Sequence, residues 1–400
     1  MKKFNKYLQA LGPGIITAAL VFGPSKITVV TKIGAEYDFK LIWIVVITIY
    51  FMVLFTSMSA RIGLASQKSL LDTIKEKWGK KVSFFIGIGI FLVCSSFQAG
   101  NSIGAGMALS ELTGFNQTFW IVFVNLFAIG LLFFRSFYKI LEKLMLILIG
   151  LMLLAFIITF ALSNPPVAKI TEGLIPQIPS GSFGLITAFV ASCFSIAAAF
   201  YQAYLIQERK RIAPQDTVVK DKSLTGILIL GLLSGIVMVC AATILHPQGI
   251  KVNSATDMGK ALEPLFGKYA SLLFLCGFFG ASFSALVGNS SLGGTILGDV
   301  LGFGSRLTSK KVKMLIAIIM IIGASIAIIF GGLPIQLIVL AQTVTIFVVP
   351  VIGIAMFIVA NDKAIMGNFA NNRLQKIFGV LGLLLVIFLA VQSFITLFIK

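Results

Sequence analysis

The string Phe22-Gly23-Pro24-Ser25-Lys26 interrupts the first long apolar segment of the chain, Gly12 to Tyr37. Gly and Pro side by side break a helix, because one adds backbone freedom and the other removes an amide donor. The break is followed at once by a lysine near the middle of the segment. A charge at mid-bilayer depth costs about 2.5–3.5 kcal/mol on insertion scales, so such residues usually face a cavity and mark a substrate pathway. The 14 Asp and Glu of the chain fall almost entirely at segment ends or in loops, so no carboxylate partner for Lys26 is evident. A lysine in this position otherwise snorkels or lies neutral in a tight interface, although mid-segment is a poor place from which to reach either surface.

Outward from this string the chain is uniformly apolar. Hydrophobic residues make up 58% of it and charged residues only 12%, far more apolar surface than a soluble core can use. About eleven stretches are long enough to cross roughly 30 Å of hydrocarbon, near 12–36, 41–63, 83–110, 119–135, 143–163, 183–207, 224–246, 269–300, 312–331, 334–360 and 377–399. The longest loops, near 64–82, 164–182, 208–223 and 247–268, are too short for a soluble domain. The reading is a single all-α integral membrane domain.

The net charge of +18 would suggest nucleic acid in a soluble protein, but its distribution follows the positive-inside rule. With Lys2, Lys3 and Lys6 placed in the cytoplasm, 24 of the 32 Lys and Arg lie inside and 7 outside, leaving Lys26 in the membrane. Anionic lipid headgroups of a plasma membrane are therefore the expected neighbours, not nucleic acid. The first apolar run has a charged lead but no small-residue cleavage site, and it reads as a retained helix. Cys94, Cys193, Cys240 and Cys276 lie in apolar segments without metal-type spacing and read as small buried hydrophobes. His246, before Pro247 at the end of the seventh segment, reads as interfacial and structural.

A second segment is small and polar at its centre, through Ser195-Ile196-Ala197-Ala198-Ala199-Phe200-Tyr201-Gln202. Breaks in the first and sixth segments predict a five-plus-five inverted repeat unwound around a midplane site, with 1–165 as the first repeat, 178–360 as the second and 361–400 as an added helix. Unwinding exposes N–H and C=O groups that a bilayer otherwise forbids to be unpaired, and a ligand can satisfy them. Ala runs are also good helix formers, which leaves a plain packed sixth helix open.

Several strings resemble the Nramp (natural-resistance-associated macrophage protein) family of divalent-metal transporters. They are Leu11-Gly12-Pro13-Gly14, Ile33-Gly34-Ala35-Glu36-Tyr37, Ala60-Arg61-Ile62-Gly63-Leu64-Ala65-Ser66, Gly104-Ala105-Gly106-Met107-Ala108 with Leu112-Thr113-Gly114, Gly298-Asp299-Val300, and Ala341-Gln342 with Val349-Pro350. The resemblance covers nearly the whole chain and implies a LeuT-type fold. Its site motifs depart from the family. Where the family carries D-P-G-N, the chain has Gly23, Pro24, Ser25 and Lys26; where it carries M-P-H, the chain has Ala199, Phe200 and Tyr201. Gln98 and Asn101 stand where the third helix of the family carries its proton-route carboxylates, and neither titrates.

These departures remove the carboxylates and the thioether that transition metals favour. Lys26 beside a half-helix N-terminus suggests an anion site instead. Ser25, Thr28, Tyr201, Gln202, Gln98, Asn101 and Gln342 are candidate donors around a small oxyanion, with Gly23 and Ala199 leaving space for it. The expectation is a secondary transporter importing a small monovalent anion, bicarbonate in the first instance, with chloride, nitrate, formate and small carboxylates open. Import of a negative charge would require a compensating cation, Na⁺ or H⁺, with Ser282, Ser284 or Asn289 as Na⁺ ligands. Gln98 and Asn101 otherwise glue helices together. The alternatives are a divalent-cation (Mg²⁺ or Mn²⁺) transporter whose ligands are carbonyls and water, and a non-transporting scaffold or sensor. No catalytic group, cofactor fingerprint or metal ligand set is evident, so an enzyme is not expected.

Overall fold

A computed structural model describes residues 23–133, 135–193, 195–212, 223–330 and 334–399. The Leu11-Gly12-Pro13-Gly14 string, the basic N-terminal residues, Phe22 and most of the 208–223 loop lie outside the described residues. The described chain is all helix, turn and loop. The long helices are α1 (Pro24–Tyr37), α2 (Ile42–Ala65), α3 (Leu70–Thr113), α4 (Gln117–Leu131), α5 (Arg135–Leu162), α6 (Phe183–Cys193), α7 (Ile196–Ile212), α8 (Ser223–Ile244), α9 (Ala270–Val300), α10 (Lys310–Ile329), α11 (Pro334–Thr345), α12 (Val349–Asn361) and α13 (Arg373–Phe398). Seven spans among the described residues are long and apolar enough to cross a membrane, one of them running through α6 and α7 together.

The helices fall where the apolar runs predict them, and the interruptions have local causes. The 64–82 loop is itself largely helical. Ser69 caps α3 by accepting from the Asp72 amide at 3.0 Å, and the helix turns sharply at Gly79, whose φ of 86° suits a residue without Cβ. The basic cluster Lys75, Lys77, Lys80 and Lys81 lies on both sides of this bend. The tenth predicted span is two helices, α11 and α12, separated by a turn at 346–348.

Packing sorts the helices into two groups. In one, α1 lies against α8, α2 against α7, and α8 against α2; in the other, α9 runs along α3, with α4, α5 and α10 around that pair. α11 closes on α3 and α6, and α12 on α2 and α13. Small residues permit the tight approaches. A Cβ on Gly34 would sit 2.2 Å from the Met238 carbonyl oxygen, and one on Gly63 would sit 2.6 Å from that of Ala203.

The basic end of the bundle is closed by polar contacts. Tyr204 donates to Asp299 at 2.6 Å, and Arg61 donates to the Phe369 carbonyl at 2.9 Å and to Asn371 at 2.7 Å. Lys77 pairs with Asp362. At the other end, His246 Nδ1 lies 2.8 Å from the Ala35 carbonyl, as its structural reading requires, and Glu111 accepts from the Ala255 and Thr256 amides that open the short helix Ala255–Gly259.

Candidate functional site

A cavity lies where the start of α1 meets the α6/α7 break, walled by α3 and α9. Gly23, Ser25 and Lys26 line it from α1, Phe97 and Asn101 from α3, Ser192 from α6, Ser195, Ala197 and Ala198 from the break and α7, and Asn289 and Leu292 from α9. Its volume available to water centres is about 40 Å³. One water needs at least roughly 10–15 Å³ on that measure, so the space suits about three waters or a partly hydrated ion, and not a bulky organic solute.

α1 begins abruptly. Gly23 is extended (φ −83°, ψ 179°), and Pro24 follows at the first helical position, where its missing N–H costs nothing. A Cβ on Gly23 would lie 2.9 Å from that of Ala285 and 3.4 Å from Asn101 Oδ1, so the missing side chain permits the helix start to approach α9 and α3. The Lys26 and Ile27 amides both donate to the Gly23 carbonyl, at 3.2 and 3.3 Å. With Pro24 lacking an N–H, the first turn presents only the Ser25 amide outside this pairing, which is a poor nest for an anion.

Lys26 is 1% exposed. It is not a free charge, because it has an interaction partner within the protein. Ser25 Oγ is buried with no hydrogen-bond partner among the described residues and lies against Gly100, 2.7 Å from where a Cβ would stand there. Leaving a buried hydroxyl unmatched costs about 1–3 kcal/mol, which marks this oxygen as waiting for a water or a ligand.

Two of the other polar walls, Ser192 and Asn289, have spent donors. Ser192 gives its hydroxyl hydrogen to the Phe189 carbonyl at 2.8 Å. Asn289 Nδ2 donates to the Cys94 carbonyl at 2.7 Å and to Gln98 Oε1 at 3.4 Å. With these hydrogens directed away, what Ser192 and Asn289 retain for the cavity is oxygen lone pairs. Ser192 and Asn289 therefore face the cavity as neutral acceptors, beside Lys26 and the unmatched Ser25 hydroxyl.

The structure brings Gly23, Ser25, Lys26, Asn101 and Asn289 together in one cavity. Pro24 packs nearby, against Gly104 and Ser282. Gln98 is fully buried one layer behind the wall, holding Asn289, and its Nε2 has no partner among the described residues. Ser282 Oγ turns back to the Phe278 carbonyl at 2.6 Å, and Ser284 is partly buried on the same helix outside the cavity lining. Gln342 lies on α11, with its side chain outside the described residues.

Ala199, Phe200, Tyr201 and Gln202 do not line the cavity. The sixth segment breaks earlier, between Cys193 and Ile196, and the Ala run winds into α7, as its propensity favours. The Phe200 carbonyl and the Ala203 amide, within α7, are met by Ser59 of α2 at 3.1 and 3.2 Å, so no ligand is needed there. Tyr201 instead lines a second cavity of about 190 Å³ toward the basic end, with Tyr204, Thr295, Arg211 and Arg306. Sequence reasoning missed Ser192 and Ser195, although two serines flanking Cys193-Phe194 are the polar signal of the break. No group of three or more His, Cys, Asp or Glu suited to a metal occurs among the described residues.

Residues 14–396 match the family described as natural resistance-associated macrophage protein-like. The divalent metal cation transporter MntH of Bacillus subtilis is 26% identical over 411 residues, covering 98% of this chain and 94% of its own. MntH of Caldanaerobacter subterraneus is 22% identical over 390 residues, covering 95% and 90%. Among solved structures, the Eremococcus coleocola manganese transporter in complex with an aromatic bis-isothiourea compound superposes with a TM-score of 0.73 at 22% identity, covering 96% of this chain and 85% of that one. Mhp1, a nucleobase-cation-symport-1 family transporter, superposes at 0.57 with 14% identity over 96% and 93%. The LeuT-type all-α fold is thereby established.

The same relatives overturn the expected anion carrier. Their names assign divalent metal cations, and manganese, where the sequence suggested bicarbonate. The physical reason is visible in the site. The anion argument took Lys26 as a free charge beside open amides and hydroxyl donors; Lys26 is partnered, the α1 amides are largely closed on Gly23, and Ser192 and Asn289 donate elsewhere. Bicarbonate as partner falls with it, and so does the Na⁺ or H⁺ that an imported negative charge would have required.

Proposed function

Because the chain belongs to the natural resistance-associated macrophage protein-like family, a family of multi-pass membrane transporters and not of enzymes, we propose that it carries a hard divalent cation, held at the α1 and α6/α7 breaks by neutral oxygens and retained water. The observation that carries this reading is the acceptor-rich cavity: the unmatched Ser25 Oγ, with the oxygens of Asn101, Ser192, Ser195 and Asn289 around a space for about three waters. Mg²⁺ takes six oxygens and keeps several of its waters, so the ion with about two of its waters suits the volume, and the neutral oxygens of the lining complete its shell. Without thioether, thiolate or carboxylate ligands, softer transition metals gain no advantage here.

The basic end is the cytoplasmic one on this reading, since the positive-inside rule places Lys75, Lys77, Lys310 and Lys311 there. The second cavity at Tyr201 and Thr295 then lies on the inward route, with Tyr204, which bonds Asp299, in its wall, and the two repeats, 1–165 and 178–360, rock around the site. An inside-negative potential favours entry of a divalent cation by about 4.6 kcal/mol per 100 mV, twice the single-charge value, so uptake does not require a coupling ion. Ser282 fits this reading as a packing residue.

The test is uptake into proteoliposomes holding a Mg²⁺-sensitive dye, at clamped voltage, with Mg²⁺, Mn²⁺ and Ca²⁺ in separate arms. Saturable Mg²⁺ entry that rises with inside-negative voltage is the expected result. Protein-dependent flux absent for all three cations, in preparations that remain folded, overturns the proposal.

A further inference from the structure

A groove of about 550 Å³ opens on the outer face of the bundle between α3, α10 and α11, on the far side of α3 from the candidate cation site. Its rim residues Leu92, Phe330 and Leu340 are 55%, 63% and 45% exposed, and its floor is set by the small side chains of Ala99 and Ala341. The stretch of α3 that forms one wall, residues 91–99, lies within a helix long and apolar enough to span the bilayer. The phase that meets this opening is hydrocarbon.

Three hydroxyl residues line the groove, and none offers itself to a ligand. Ser95 donates to the Phe91 carbonyl at 2.9 Å, Ser96 to the Ala341 carbonyl at 2.8 Å, and Thr345 is also partnered. A polar solute would find nothing to replace its hydration, whereas an empty apolar groove of this size forfeits dispersion contacts along all its walls. The volume lies within the range of roughly 300–1,000 Å³ typical of formed ligand sites. A flat lipid-facing helix, such as the α4 face carrying Phe119, Phe123 and Phe127, offers lipid no such enclosure.

We propose that this groove is a binding site for one acyl chain of a bilayer phospholipid, seated between α3 and α11 where Ser96 ties the two helices together. The occupant props α11 against the helix whose other face carries Asn101. Its chemistry is that of a saturated or singly unsaturated hydrocarbon chain, with the headgroup outside the groove.

The experiment uses the full chain reconstituted in phosphatidylcholine doped with a lipid bearing a diazirine in its acyl chain, followed by photolysis and peptide mass spectrometry. Labelling is expected to concentrate on residues 91–99 and 337–348, about tenfold above the α4 face, the ratio that corresponds to 1.4 kcal/mol. Two variants fill the groove from opposite walls, Ala99→Phe and Ala341→Phe, and either one that keeps its thermal midpoint should lose that excess. Even labelling of the wild type across all lipid-facing helices overturns the proposal without recourse to a variant. So does unchanged labelling in a folded filled variant.

Discussion

Replacing Lys26 by Met separates a cation site from an anion site by the sign of the effect. Lys26 lines the cavity, and a divalent ion there would stand at ~6 Å from its ammonium, a separation set by a space that holds about three waters. Coulomb repulsion between charges of two and one at ~6 Å is about 5.5 kcal/mol at an effective dielectric of 20 and about 1.4 kcal/mol at that of water. The cavity retains water, so the lower part of this interval applies. Lys26→Met should therefore tighten Mg²⁺ binding by about 10- to 100-fold, equivalent to roughly 1.4–2.8 kcal/mol. Lys26 is buried and engaged within the protein, so the substitution can also alter stability, and thermal unfolding must be followed alongside. Calorimetric titration of the purified variant with Mg²⁺ provides the affinity. Unchanged or weaker Mg²⁺ affinity in a folded Lys26→Met protein would refute the reasoning, because a lysine that does not oppose the cation cannot share a cavity with it.

Ser25→Ala removes the one hydroxyl in the cavity that lacks a partner among the described residues, and should weaken Mg²⁺ binding about tenfold without loss of thermal stability; a drop in midpoint with unchanged affinity would make Ser25 structural. Gly34→Leu forces a Cβ to 2.2 Å from the Met238 carbonyl and should lower the detergent melting midpoint by several degrees, an overpacking cost of about 1–3 kcal/mol. Tyr204→Phe deletes the 2.6 Å bond to Asp299 and should bias the protein toward opening at the basic end, read as faster thiol labelling of an added Thr295→Cys; equal labelling rates with and without the tyrosine hydroxyl would show that this bond does not hold the end closed. At the opposite end, burial pushes the Asp257 carboxyl up, but bonds from Lys260, Ser254 and the Asn253 amide outweigh it and hold the group below its ordinary value. Its contribution to the short helix Ala255–Gly259 is thus present above the ordinary carboxylate range and lost as pH falls through the depressed value, so amide exchange at 253–260 should accelerate only below about pH 4.

The fold was legible because bilayer physics leaves few alternatives for apolar runs of this length. Ile42–Ala65, Ser223–Ile244, Ala270–Val300 and Lys310–Ile329 each begin and end within a few residues of the hydrophobic stretches that announce them. Interruptions were harder. The α1 break was readable, since Gly23-Pro24 acts through the covalent properties of the two residues themselves. The sixth break was misplaced because Ser195 through Gln202 is ambiguous by composition. Only the structure shows that this stretch is helical and that its neighbour Ser59 meets the backbone at Phe200 and Ala203, so no ligand is needed there.

Part of the cavity lining was legible in its members, and its polarity was not. Gly23, Ser25, Lys26, Asn101 and Asn289 were all identifiable as polar or permissive residues at the right depth, and they do meet. Serine and asparagine, however, both donate and accept, and which half faces a cavity depends on where the hydrogens go. Ser192 sends its hydrogen to Phe189, and Asn289 sends its own to Cys94 and Gln98, partners one turn away in the first case and on another helix in the second. Lys26 supplied the only sign visible in the sequence, and it pointed toward anions because a lysine is read as a free charge from sequence alone. On the proposed reading, Ser192 and Asn289, which could serve an anion if their donors were free, serve a cation as acceptors because those donors are committed. The face that these neutral groups show to the cavity is therefore set by a second layer of hydrogen bonds, which here runs through the Phe189 carbonyl, Gln98 and the Cys94 carbonyl of α3.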